Sequence, residues 1–379
     1  MAKEKIKKAL AEAGGEVFIV GGAVRDELLG IPCKDIDFLI RKLDYSEIKD
    51  IIQHLGKVFD QEIGGKVSTL KAVVDGEEFD IAIPRIGEKS TGSGHGDFEI
   101  TLDPHASVEE DLARRDFTFN ALAKSHDGAI VDKFGGLEDL ERGLVRAVGD
   151  PEERFKEDPL RILRALQFAT RLGFELHFET AKAIESHKDL LLTISGERIL
   201  MEFEKAWTKG HADVRRFASL LRAFGIGKML FGEDFNPSIV SHRSSHEEKV
   251  IASFVGFFLK GGNAEILKPT NNMMQHLNSA RCALAEKPDI WSWAKKEHLI
   301  PLFHVFSDLE EEEIMDRLIR ADSKPMEPKE LDITGQELME LGFKGKMIGE
   351  AQRHLLRMIH NRPWPNVKQS LIKELKTLL

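Results

Sequence analysis

The 379-residue chain is short of several things, and each shortage removes a class of protein. It has two cysteines, Cys33 and Cys282, far apart and with no ligand-like spacing around either. That excludes a disulfide framework or a zinc knuckle, and it fits a reducing, cytoplasmic setting. No stretch approaches the ~20 consecutive apolar residues of a membrane span. The opening MAKEKIKKALAEAGG is charged and amphipathic, without the apolar centre of a signal peptide. Tandem repeats are missing as well. Positive charge is scarce: 54 Lys and Arg against 64 Asp and Glu leave a net charge of −10. That is the wrong sign for coating nucleic acid indiscriminately, so a nucleic-acid enzyme of this balance needs a local basic surface. What remains, 42% hydrophobic and 31% charged, is an ordinary globular composition. The length allows more than one domain at ~100–200 residues each.

Patterning changes along the chain. EVFIV (Glu16–Val20) predicts a strand, AVRDELLG a helix opening after Gly21-Gly22 and stopping at Gly30, and DIDFLI a second strand. SEIKDIIQHLG has helical spacing. TLKAVVDGEEFDIAIPR reads as a hairpin about Asp75-Gly76. IGEKSTGSGHGDFEITLDPHAS shows almost no periodicity and reads as a long loop, which inside a compact domain is functional or disordered. From Val108 onward helical periodicity dominates, broken by glycine turns and by a hairpin turn at His126-Asp127. ADSKPMEPKE, residues 321–330, with two prolines and dense charge, is the best linker.

The chemistry concentrates between Gly21 and Asp37. On a strand, residues i and i+2 share a face, so Asp35 and Asp37 project together between Ile36 and Phe38. Two such carboxylates repel unless a cation lies between them, and oxygen ligands of this kind suit Mg²⁺ bridging to phosphate. Asp80 adds a third carboxylate from another strand. Together they can hold two metal ions about 4 Å apart, the clamp used in phosphoryl transfer. An isolated D-x-D is ordinarily a solvated acidic edge. Here Gly21-Gly22 also exposes backbone N–H groups at a helix start, where anions are favoured. Arg25 in the first turn is placed to reach a triphosphate.

GGAVRDELLG…KDIDF resembles the signature of class II tRNA nucleotidyltransferases and the related bacterial poly(A) polymerases. The resemblance implies an α+β head of polymerase-β-like type, a mixed sheet with helices, followed by an all-α neck, body and tail. It implies that Gly21 and Gly22 cradle the nucleotide phosphates, that Asp35 and Asp37 ligate Mg²⁺, and that Asp80 is the third carboxylate. LARRDFTFNALA (Leu112–Ala123) resembles the next block of that family, which implies that Arg115, Asp116 and Asn120 lie near the ribose and phosphates. Taken alone, ARRD reads as a charged, surface helix end.

RFKEDPLRILRALQFATRLGF resembles the ED-x-x-R block. Asp158 and Arg161 lie three residues apart, so on a helix they share a face. A carboxylate accepts and a guanidinium donates, a pair that complements the amino group and ring nitrogen of cytosine or adenine and rejects guanine and uracil. An arbitrary D-x-x-R is ordinarily a helix salt bridge; the ordered set of motifs favours recognition. Many relatives have an arginine where this chain has Gln167. SGERILMEFEKAW resembles a further block in which Glu197 and Arg198 are structural. The C-terminal segment also resembles the family's tail and offers Lys344, Lys346, Arg353 and Arg357, with Arg362 and Lys368, as a basic surface for RNA phosphates. No phosphohydrolase domain is expected, because the histidines lack the spacing for one.

The layout that follows is a catalytic head over residues 1–140, a base-reading neck over 141–207, a helical body over 208–325 and an RNA-binding tail over 326–379. The expected reaction is template-independent addition of C, C and A to tRNA from CTP and ATP, with Mg²⁺ as cofactor and no stable protein partner. In the family a flexible loop after the third carboxylate is needed for adding A, and the glycine-rich segment from Ile86 to His105 resembles it. An A-adding enzyme, a poly(A) polymerase and, from another class, a non-catalytic RNA- or nucleotide-binding protein remain alternatives.

Overall fold

The computed structural model describes residues 2–33, 35–63, 66–90, 98–208, 214–233, 235–238, 246–285, 314–315, 324, 327–361 and 365–376. It divides into two compact units, Met1–Ile226 and Gly227–Leu379.

The first unit begins with α1 (Ala2–Glu12), β1 (Glu16–Val20), α2 (Gly22–Leu28), β2 (Ile36–Arg41) and α3 (Tyr45–Gln53). Then follow β3 (Lys57–Ile63), β4 (Lys66–Val74), β5 (Glu77–Ala82), β6 (Arg85–Ser90) and β7 (Phe98–Leu102). A seven-stranded sheet has the order β3-β4-β5-β2-β1-β8-β9, completed by β8 (Leu122–Ser125) and β9 (Ile130–Asp132). All its neighbours are antiparallel except β2 and β5. The β4–β5 turn is the two-residue kind expected from Asp-Gly, with φ of 52° at Asp75 and 83° at Gly76. α3 starts at a capping box of Asp44 and Glu47, and its Ile48 and Ile52 are buried.

The two sheet faces differ. Helices α1 and α3 pack with β1 and β3, and Ile6, Leu10, Ile48 and Ile52 are buried there. Elsewhere Val20, Leu39, Ala121 and Ala123 pack against Val108 and Leu112 of α4 (Val108–Ala113). Ser107 and Glu110 form the capping box that starts α4.

Two expectations fail here. The segment read as a structureless loop forms the antiparallel ribbon β6–β7, pairing Arg85 with Leu102 and Ser90 with Phe98; residues 91–97 lie outside the described residues. The helical reading from Val108 onward misses β8 and β9, too short to show a period, although the turn expected at His126-Asp127 joins them; β8 pairs with β1 and β9 with β8.

Helices dominate the rest of the unit: α5 (Gly136–Arg142), α6 (Pro151–Glu157), α7 (Leu160–Leu172), α8 (Phe178–His187), α9 (Gly196–Thr208) and α10 (Val214–Ala223). A small parallel pair, β10 (Leu144–Val145) and β11 (Glu175–Leu176), interrupts them. Phe117, Phe119, Phe168 and Phe174 join α7 to the sheet side through edge-on and stacked rings 5.4–5.9 Å apart. α7 stops at Gly173, whose φ is 72°.

The second unit is helical among its described residues. Helices His246–Phe258 and Asn271–Leu284 pack together, with Phe231, Phe235, Phe257 and Phe258 in mutual ring contact. Helices Gly335–Glu340, Lys346–Asn361 and Lys368–Leu375 surround Leu338, Leu355, Leu371 and Leu375. Of the linker expected at 321–330, the described residues are Lys324 and 327–330, which include a 3₁₀ turn at Pro328–Glu330. The α+β head followed by helical regions is therefore the architecture expected from the sequence. No helix among the described residues is long and apolar enough to cross a membrane.

Candidate active site

A cavity of about 1110 Å³ in the first unit collects most of the residues singled out by sequence. Its floor is the one parallel contact of the sheet. β2 and β5 run side by side with Asp37 opposite Asp80, so both carboxyl groups leave the same face. Burial, above all, pushes the Asp37 carboxyl up to about 6, with Asp80 and Asp35 adding repulsion and Arg115 opposing it. Burial raises Asp80 as well, with Asp35 adding to the rise. The Oδ1 atom of Asp80 is buried without a hydrogen-bond partner. Asp35 corrects the sequence expectation. It lies one residue ahead of β2 and is exposed, outside the strand proper, yet it is near enough to add repulsion at both Asp37 and Asp80.

Among the described residues no three acidic, histidine or cysteine side chains are already gathered as a metal site. The chemistry of the floor nevertheless fits a divalent cation. Two half-buried carboxyl groups resist ionisation, one has an orphaned oxygen, and hard oxygen donors are what Mg²⁺-type ions take.

The wall beside the floor comes from β1, α2 and the segment after α4. Gly21 has φ 67° and ψ −128°, and a Cβ there would sit 2.4 Å from Arg115 Nη1. Glycine thus answers both a backbone demand and a close approach. Arg25 is buried; its guanidinium pairs with Asp26 at 2.6 Å, and its Nη1 donates to Asn120 Oδ1 at 2.6 Å. Asn120 Nδ2 donates to Asp116 Oδ1 at 3.0 Å, and Arg164 gives Asp116 Oδ2 two bonds of 2.9 and 2.6 Å. Burial opposes ionisation of Asp116, but Arg164 and these donors hold its carboxyl below the usual range. Arg25, Asn120, Asp116 and Arg164 therefore form one continuous network from α2 to α7.

The surface reading of ARRD is overturned. Asp116 and Asn120 are buried and their polar groups are spent on protein partners. Asp111, not singled out by sequence, is fully buried beneath Arg114 and Arg115 and also accepts from the Arg85 backbone N–H. Burial works against its charge, yet the two guanidiniums and the N–H bring the carboxyl down to about 2.

The opposite wall carries Asp158 and Arg161. They do not share a helix face as expected. Asp158 ends α6 in an extended conformation (φ −142°, ψ 98°), and α7 starts after Pro159. Its Oδ1 accepts from Leu160 N at 3.2 Å and from Arg198 Nη2 at 3.1 Å. Arg161 donates to Glu157 Oε2 at 2.9 Å, Arg154 O at 3.2 Å and Arg114 O at 2.8 Å. Both side chains still line the cavity. Arg164, which the sequence did not single out, and Arg198, expected to be structural, also line it; Arg164 holds Asp116 and Arg198 holds Asp158.

In the second unit Lys344, Lys346, Arg353 and Arg357 are all exposed, and Lys346, Arg353 and Arg357 recur at 7- and 4-residue steps along one helix, which sets them on one stripe. Lys368 is engaged with Glu337, and Arg362 lies outside the described residues.

Comparison with known proteins adds independent findings. Residues 17–146 match the family model described as "Poly A polymerase head domain", and residues 173–238 match "Probable RNA and SrmB- binding site of polymerase A". A "CCA-adding enzyme" of Pediococcus pentosaceus is 43% identical over 204 residues, 53% of this chain and 48% of that protein. The chain thus spans about half the length of the first curated relatives it matches. A "CCA-adding enzyme" of Latilactobacillus sakei is 31% identical over 397 aligned residues, covering 98% of this chain and 96% of that one. Among solved structures, the Bacillus stearothermophilus CCA-adding enzyme in complex with CTP superposes with a TM-score of 0.74 at 27% identity, over 99% of this chain and 97% of that chain. With a polymerase-type head, its carboxylate floor and a relative matched from end to end, the chain belongs to the CCA-adding enzyme family.

Proposed function

We propose that the protein adds C, C and A to the 3′ end of tRNA, taking the nucleotides from CTP and ATP and releasing pyrophosphate. The carrying observation is the pairing of Asp37 with Asp80 at the floor of a cavity walled by guanidiniums, with Asp158 on the opposite wall. Asp35 and Asp37 are the proposed Mg²⁺ ligands, with Asp80 beside them. Bound there, the ions would activate the primer hydroxyl and neutralise charge at the α-phosphate. The division into head, neck, body and tail given above belongs to the same proposal.

The residues of the chain do the rest by positioning. Gly21, Gly22, Arg25 and Arg115 hold the triphosphate. Asp116 and Asn120 steady Arg25 and Arg164 and so set the shape of the ribose side. Asp158, oriented by Arg198, accepts from the amino group of cytosine or adenine. Arg161 has five N–H donors and makes three bonds to the protein, which leaves capacity for a ring nitrogen. A base with a carbonyl at the first position and an N–H at the second leaves both protein groups unpaired, a cost of ~1–3 kcal/mol each. Selection then needs no template. Lys344, Lys346, Arg353 and Arg357 contact RNA phosphates.

The test is extension of three tRNA transcripts, ending before CCA, after C and after CC, with Mg²⁺ and CTP, ATP or both. Growth of all three to one common end and arrest there supports the proposal. Extension of the CC-ended transcript alone by one A makes it an A-adding enzyme, a long ladder in ATP a poly(A) polymerase, and no extension with intact RNA binding a non-catalytic binder.

A further inference from the structure

The register of the sheet extends the carboxylate floor toward one edge. Asp37 stands opposite Asp80, Asp80 opposite Lys71, and Lys71 opposite Phe59 of the edge strand β3. Residues paired in this way share a sheet face, so Phe59 and Lys71 belong to the face of the two carboxylates. The next row agrees: Gln61 pairs with Thr69 and Thr69 with Ala82, and all three line the cavity. Strands lie ~4.8 Å apart, which sets Phe59 about 10 Å from Asp80 along its row.

The two faces of β3 differ. On the helix side Asp60 accepts from Tyr45 Oη at 2.9 Å and from Lys49 Nζ at 2.7 Å. On the cavity side Phe59 is 54% exposed, and Lys71, its ammonium 2.8 Å from the exposed Glu78, stands between it and Asp80. A single exposed phenylalanine is ordinary on a protein surface. The direction of the reaction gives this one a role. In-line transfer has the attacking and leaving oxygens on opposite sides of the phosphorus. The leaving pyrophosphate is placed at Gly21, Gly22 and Arg25, at the end of β1 and the start of α2, and β1 lies beyond β2 in the sheet. The attacking hydroxyl therefore arrives from the other side of the Asp37–Asp80 pair, over β4 and β3. An RNA strand entering there lies over an aromatic ring and a cation, the two kinds of side chain that hold single-stranded nucleic acid.

We infer that Phe59 and Lys71 form a seat for the 3′ end of the RNA primer, the ring stacking on a base and the ammonium meeting a backbone phosphate. This rests on the functional proposal above, which sets the triphosphate at Gly21, Gly22 and Arg25. At ~3.4 Å per stacked nucleotide, a ring about 10 Å from Asp80 meets one of the last three bases. Stacking on a ring tolerates every base, so the seat serves primers ending before CCA, after C and after CC alike.

Fluorescence titration of the full chain tests it with a CC-ended tRNA carrying 2-aminopurine at each of the last three positions in turn. The same tRNA trimmed back to its paired acceptor stem, and CTP, are the controls. In the wild type, binding should quench the fluorophore at one of the three positions. Phe59→Ala should abolish that quench and weaken the CC-ended tRNA about 5- to 20-fold, while Phe59→Tyr restores both. Both Phe59 variants should bind trimmed tRNA and CTP as the wild type does. Lys71→Met should weaken the CC-ended tRNA about 3- to 10-fold and lower its salt slope by about one. Equal affinity of Phe59→Ala and wild type for the CC-ended tRNA overturns the inference, as does an equal loss for trimmed tRNA or for CTP. A wild-type dimer that Phe59→Ala dissociates, seen by sedimentation, also overturns it and gives the edge strand to a second copy of the chain. If the wild type extends no tRNA, yet shows the quench and loses it in Phe59→Ala, the functional proposal fails and the seat stands.

Discussion

Asp111 offers the sharpest test of how the cavity is built, because it does not itself line the cavity and yet anchors Arg114 and Arg115, which do. Asp111→Asn keeps the shape and removes the charge. The carboxyl is held at about 2 against an ordinary 3.8. At ~1.36 kcal/mol per pH unit, that is worth about 2.5 kcal/mol at neutral pH. Breaking one side of a buried ion pair ordinarily costs ~3–5 kcal/mol, so the expected loss at pH 7 is about 2–4 kcal/mol. Because the folded pKa is depressed, the contribution is fully present above 3.8 and is lost as pH falls toward about 2. By pH 3 about half should remain. Urea unfolding of both proteins at pH 7, 5 and 3, followed in parallel by fluorescence and circular dichroism, measures this. Equal midpoints at pH 7, or a gap that widens toward pH 3, would refute the reasoning. In the same variant Arg115 keeps a long 3.4 Å bond to Asn120 O, and the KM for CTP should rise several-fold.

Other outcomes follow from particular contacts. Arg198→Met removes the 3.1 Å bond that orients Asp158; misincorporation of U or G should increase at least fivefold in single-nucleotide extension assays, with primer binding unchanged. Gly21→Ala forces a Cβ to 2.4 Å from Arg115 Nη1 at a φ of 67°, so CTP affinity should fall about tenfold and stability by ~1–2 kcal/mol. Replacing Lys346 and Arg353 together by Glu should weaken tRNA binding and reduce its salt slope by about one unit per lost phosphate contact, measured by filter binding from 50 to 200 mM salt; an unchanged slope removes these residues from the RNA surface.

Much of this molecule was legible locally. The Asp75-Gly76 turn, the strand before Gly21 and the strand carrying Asp37 each follow from a few adjacent residues, and the structure has them in place. The break at Asp158 was also written there. Asp158 precedes Pro159, and a residue before proline avoids helical angles, so the shared helix face was the wrong inference from a readable signal. Asp111 and Arg164 are different, as is the particular partner of Arg198, which the sequence marked only as structural. Arg164 meets its carboxylate 48 residues away and Arg198 meets Asp158 40 residues away. Asp111 reads as one more acid in the first turn of a capped helix. Nothing in a single sequence distinguishes such charges from solvated ones.

The pairing of Asp37 with Asp80 across two parallel strands also governs which length changes the gene can tolerate. Residues added before Lys57 change a connection and leave that pair in frame. A single residue gained or lost between Gly76 and Asp80 shifts the alternation of β5 by one, sending Asp80 to the apolar face and Phe79 into the polar cavity. The short run EEFD is thus a counted interval, in which length is under tighter constraint than the identity of its two exposed glutamates.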